Sequence, residues 1–182
     1  MSQLSLASLS IILGLGYLVP QIYGLAKPGD FREKLRSFPR SNSWGYLLVT
    51  IATLWFLRTV QQEDISDFAN YKKFMLIGFG ALGVASCIYV KDFLAVRGYA
   101  VLLLLLAKLM VETARWVDSD WRLVIVTWAY IWALGGMWFT ISPWRVRDII
   151  LWTTATESRM RFICGIRGAF GLLVIGLGVF VF

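Results

Sequence analysis

Apolar residues in this chain come in long unbroken runs separated by short polar breaks, and strict alternation is absent. About 20 apolar residues at 1.5 Å per residue cross a hydrocarbon core of ~30 Å. Six runs meet that pattern: Leu4–Leu25, Trp44–Val60, Phe74–Val90, Phe93–Ala114, Trp121–Ile141 and Phe162–Phe182. Continuous runs favour helices over a membrane barrel, whose strands alternate. The pattern therefore predicts an all-α polytopic membrane protein with six transmembrane helices. The second and third runs are short, which predicts little tilt or a locally thin bilayer. The third and fourth are separated only by Lys91, Asp92 and Arg97.

The breaks carry the charge. Lys27, Arg32, Lys34, Arg36 and Arg40 follow the first span, Lys91 and Arg97 divide the third from the fourth, and Arg145, Arg147, Arg159, Arg161 and Arg167 flank the entry to the sixth. The alternate breaks hold only Arg58, Lys72, Lys73, Arg115 and Arg122. An excess of Lys and Arg marks the cytoplasmic side, so both termini are expected outside. Glu63, Asp64, Asp67, Asp118 and Asp120 then fall on the outer side. Trp44, Trp116, Trp121, Trp144 and Trp152 stand at predicted span ends, where amphipathic rings prefer the headgroup level.

Two of the basic breaks resemble each other. PGDFREKL (Pro28–Leu35) and PWRVRDII (Pro143–Ile150) align on their prolines, placing Arg32 against Arg147 and Glu33 against Asp148. Each proline ends a membrane helix, and each is followed by a basic amphipathic segment suited to the interface. Those segments cover residues 28–40 and 143–161. Pro39 and Ser41 mark the stop of the first, and Thr154-Ala-Thr-Glu157, a capping-box pattern, the stop of the second. This predicts one membrane domain of three hairpins, 4–60, 74–114 and 121–182, the first and third reading as copies of one unit. Chance likeness between two basic loops is the competing reading.

Composition sharpens the class. The chain has 182 residues, 58% of them hydrophobic and 16% charged, with a mean hydropathy of +0.68. A soluble domain has about 45–50% apolar and 25% charged residues. There is no histidine, which removes the commonest metal ligand and general base. Cys87 and Cys164 stand alone in apolar runs and form no metal-binding spacing. The first ten residues, MSQLSLASLS, carry no basic n-region, so the first run is expected to be a retained helix. No phosphate-binding loop, dinucleotide glycine pattern, zinc-protease or serine-hydrolase motif, or calcium loop occurs. No catalytic residue, metal ligand or cofactor is predicted, and the net charge of +7 calls for anionic lipid as partner, with no need for nucleic acid. The residues expected at lipid phosphates are Arg32, Lys34, Arg36, Arg40, Arg145, Arg147, Arg159 and Arg161.

Charges inside the runs pose the functional question. Lys108 lies about 6 Å past the middle of the fourth span and Glu112 about 12 Å past it. A charge at mid-membrane costs on the order of 2.5–3.5 kcal/mol. The two residues can pair at i, i+4, and Lys108 can reach outward along its stem. Three readings stay open: a snorkelling lysine, a contact with a partner's helix, and an ion or proton path. Arg167 poses the same question in the sixth span, because Gly168–Phe182 alone is short for a crossing. Trp121, Trp128 and Trp132 share a helix face, which reads as a packing or lipid-facing stripe or as a wall for a flat ligand.

The last forty residues, Pro143-Trp-Arg through Arg161, Gly168, Gly171 and the apolar end, resemble the YjeT-like family of small bacterial membrane proteins. The resemblance implies two helices joined by a basic interfacial segment in a bacterial inner membrane, and no chemistry. Together these features suggest a non-catalytic accessory or scaffold subunit of a larger bacterial membrane complex. The alternative is a small oligomeric transporter or channel using Lys108 and Glu112.

Overall fold

The computed structural model describes residues 5–63, 70–90 and 92–182. Leu4, Asp64, Asp67 and Lys91 of the sequence argument lie outside them. Every regular element among the described residues is a helix: α1 (Leu6–Ala26), α2 (Pro28–Ser37), a 3-10 turn (Phe38–Arg40), α3 (Asn42–Gln62), α4 (Lys72–Tyr89), α5 (Leu94–Ala114), α6 (Arg122–Ile141), α7 (Trp144–Thr153) and α8 (Glu157–Phe180). Six of them, α1, α3, α4, α5, α6 and α8, are long and apolar enough to cross a membrane. The chain is all-α, as the apolar runs predict.

The helix ends follow local chemistry. Ser5, Ser41 and Thr156 cap α1, α3 and α8, their side chains accepting from the amides of Ser8, Trp44 and Arg159. Such caps are each worth about 1 kcal/mol. α1 stops at Ala26, two residues before Pro28, and α6 at Ile141, two before Pro143. Pro28 opens one ten-residue helix and Pro143 immediately precedes another. The break between α4 and α5 turns on Phe93, whose φ of 56° is left-handed and cannot continue a right-handed helix.

Three boundaries differ from the sequence expectation. α3 runs 21 residues, about 31 Å, because its helix continues through the polar ends Asn42–Ser43 and Gln61–Gln62. The second span is therefore not short. α8 starts at Glu157, five residues before Phe162, so Arg159 and Arg161 belong to the long helix and not to the interfacial segment. The Glu157–Arg161 ion pair of 2.7 Å spans this added turn. The cap of α8 is Thr156, not Thr154; the Thr154 hydroxyl is engaged by Arg36 and Ile150.

The chain divides into two compact units. The first comprises Met1–Arg36, Leu106–Leu134 and Arg147–Phe182; the second comprises Ser37–Leu105 and Gly135–Val146. In the first unit α1 and α8 run antiparallel in contact from Ala7 and Gly178 at one end to Gly24 and Cys164 at the other. A Cβ at Gly178 would stand 2.9 Å from the Ala7 carbonyl oxygen, and one at Gly14 would stand 3.0 Å from the Gly171 carbonyl oxygen. The two backbones approach this closely because small residues line the seam. Leu6, Leu9 and Leu13 of α1 then pack with Ala107, Met110 and Ala114 of α5, Ile125, Trp128 and Ala129 of α6, and Val174 of α8.

The second unit uses the same device. Gly98 of α5 meets the backbone of Leu48 and Val49 on α3, Gly136 of α6 meets the Ala100 carbonyl and Leu104 of α5, and Gly83 of α4 meets Thr53 of α3. Phe56 and Phe79 add an edge-to-face contact between α3 and α4, their centroids 5.0 Å apart. No residue of α4 is buried.

Gly178→Leu is expected to destabilise the protein by about 1–3 kcal/mol through overpacking. Gly165→Leu, on the same helix with open space around its Cβ position, is expected to change stability by less than about 0.5 kcal/mol. Reversible unfolding in mixed micelles reads both. Equal effects would contradict a close-packed α1–α8 seam.

Candidate functional site

Because α1 and α8 are antiparallel, the C-terminal end of α1 lies beside the N-terminal end of α8. α2 leaves the first and the α7–α8 turn enters the second, so the two basic segments meet within the first unit. α7 ends there with carbonyls that no further helical turn can satisfy. Arginines satisfy them. Arg36 donates through Nε to Thr154 Oγ1 at 2.9 Å and through Nη2 to the Thr154 carbonyl at 3.0 Å. Arg32 donates through Nη2 to the Ala155 carbonyl at 3.3 Å. Arg159, from the first turn of α8, donates through Nη1 to the Trp152 carbonyl at 3.2 Å and lies over the Trp152 ring, 5.0 Å from its centroid. Cations at a helix C-terminus also meet the negative end of its dipole.

Thr154 is the centre of this arrangement. It is 1% exposed, and its hydroxyl donates to the Ile150 carbonyl at 2.7 Å while accepting from Arg36. This engagement is why the capping role passes to Thr156. Sequence reasoning missed Thr154 as an arginine partner. Its signal, a threonine where a helix stops, is the signal of a cap as well, and the partner lies 118 residues away.

The other basic residues divide. Lys34 donates to the Tyr23 hydroxyl at 2.9 Å, and that bond raises the Lys34 pKa above its ordinary value. Arg147 pairs with Asp148 at 2.9 Å and Arg161 with Glu157. Arg40 and Arg145 are exposed and belong to the second unit. The structure thus brings Arg32, Arg36 and Arg159 to the carbonyls of one turn.

Lys108 and Glu112 form the second candidate. Lys108 Nζ lies 3.4 Å from Glu112 Oε1, with the side chains 36% and 57% exposed. Ala107, Met110 and Ala114 form the core face of this half of α5. Each residue turns the helix by roughly 100°, so Lys108, one past Ala107, and Glu112, two past Met110, leave that face. Arg167 is exposed, about 15 Å along α8 from its start.

Neither the family models, nor the curated proteins, nor the solved structures align with this chain.

The tryptophan stripe of α6 resolves into two environments. Trp128, 4% exposed, packs edge-on against Tyr17, Trp132 and Phe170, with centroid distances of 5.3, 4.6 and 5.1 Å. Trp121 is exposed. Beside Trp128 an open, apolar cleft of about 330 Å³ runs between Leu123, Val124, Thr127, Ile131 and Phe170. It offers one hydroxyl and no titratable group. Among the described residues no three acidic or thiol side chains gather around a point.

Thr154→Val removes the acceptor of Arg36 Nε at a buried position and is expected to cost about 1–3 kcal/mol. Since 1.4 kcal/mol is tenfold, amide exchange in α2 should quicken about fivefold or more. Hydrogen–deuterium exchange with mass spectrometry checks this, and unchanged exchange in Pro28–Ser37 would show that the clamp does not hold α2.

Proposed function

We propose that this chain is a non-catalytic accessory or scaffold subunit of a larger bacterial membrane protein complex. The observation that carries the proposal is the Lys108–Glu112 pair. It stands on an apolar helix, half-exposed, and turned off the core face of its unit. Charges in hydrocarbon are expensive and are generally satisfied by a protein partner, a water-filled cavity or the interface. A neighbouring subunit's helix laid against α5 would shield the pair and gain its hydrogen bonds. α4 supports the same reading, since a helix of spanning length that buries none of its residues in its own chain offers a whole side to a neighbour. The basic loops favour termini on the outer face, and the YjeT-like resemblance of the last forty residues favours a bacterial inner membrane.

The competing reading is a small oligomeric transporter or channel in which the same pair faces water. Lys108→Leu separates the two. Interhelical polar contacts in membranes are worth about 1 kcal/mol, so an assembly role predicts that recovery of partner subunits with the tagged protein from native membranes falls by about fivefold or more. A transport role predicts undiminished assembly and lost flux in liposomes. Recovery of the wild-type chain without other membrane subunits would overturn the accessory role.

A further inference from the structure

The three guanidiniums at the end of α7 form no ion pair among the described residues. A helix C-terminus supplies roughly half a negative charge, against three arginines. Glu157, just past the turn, and Asp148, within α7, are taken by Arg161 and Arg147, and Asp30 and Glu33 of α2 form no ion pair with the three guanidiniums. No carboxylate among the described residues pairs with Arg32, Arg36 or Arg159. Each of the three spends only part of its donor fork on carbonyls, and Arg32 Nε, shielded from solvent, has no acceptor. Guanidinium forks with donors to spare match the oxygens of a phosphate.

The surroundings say which kind of phosphate. Trp152, Leu151, Phe162 and Ile166 present exposed apolar surface on α7 and the first turns of α8, and the Trp152 ring lies under Arg159. A free anion gains nothing from such a rim, whereas an anionic phospholipid places its phosphate on the arginines and its acyl chains along α8. We infer that the turn between α7 and α8, with Arg32, Arg36 and Arg159, is a binding site for the headgroup phosphate of an anionic membrane lipid. The inference rests on the chain lying in a membrane and not on its having partner subunits. A monomeric protein would bind the lipid equally well.

Native mass spectrometry of the full chain in maltoside detergent tests it, with phosphatidylglycerol and phosphatidylcholine of identical acyl chains offered in turn. Phosphatidylglycerol should be retained and phosphatidylcholine lost. A basic residue near an anionic lipid surface is worth about 1 kcal/mol, or about fivefold. Arg159→Gln, at an exposed position that spares the Arg32 and Arg36 clamp, should therefore weaken phosphatidylglycerol binding about fivefold, and Arg32→Gln with Arg159→Gln about twenty-fivefold. Arg115→Gln, beside Ala114 at the opposite end of α1, should leave it within twofold. Should the double variant lose its wild-type elution profile, Arg159→Gln alone decides. Equal retention of the two lipids, undiminished binding by Arg159→Gln, or full displacement by millimolar inorganic phosphate would each overturn the assignment.

Discussion

The contact between α1 and α8 sets the arrangement of the first unit. In hydrocarbon, helices gain little from burying apolar side chains, because lipid tails solvate them as well. Close backbone approach is what remains. Gly14, Gly171 and Gly178 provide it and bind the beginning of the chain to its end. Antiparallel packing then brings α2 to the α7–α8 turn. The arginine clamp on Thr154 and Ala155 follows from that placement.

The clamp changes how the basic segments are read. Arginines in a membrane-proximal loop are ordinarily taken as contacts for lipid phosphates. Here Arg32, Arg36 and Arg159 first supply donors to helix-end carbonyls, a demand that follows from backbone chemistry and holds in any medium poor in water. Their forks hold more donors than the carbonyls take up, so one set of side chains ties two segments together and still has donors to spare. Lys108 and Glu112 differ in kind. They neutralise each other locally, at one turn's spacing, and their position off the core face makes them a property of the outer surface of α5.

Much of this was legible in the sequence. Unbroken apolar runs located all six long helices, since a hydrocarbon crossing fixes both length and polarity. Pro28 and Pro143 located the two ten-residue helices, because proline stops one helix and is tolerated at the start of the next. The i, i+4 spacing of Lys108 and Glu112 sufficed to propose their pairing. The start of α8 and the length of α3 were not legible, because both helices extend into polar residues that hydropathy assigns to loops. Nor was the role of Thr154, whose partner is remote in sequence.

By itself, then, the sequence determined the local facts: helix, span, break and near-neighbour ion pair, all set by interactions within a few residues. Which helices touch was decided only by the tertiary structure. Gly14 and Gly165 look alike as letters, yet one faces the backbone of another helix and the other faces open space. Likewise, of eight basic residues of similar prospects, Arg32, Arg36 and Arg159 are the ones whose guanidiniums reach the carbonyls of one turn. Long-range packing selects among glycines and arginines because the energy lies in the distance between two backbones, and no single stretch of chain contains that distance.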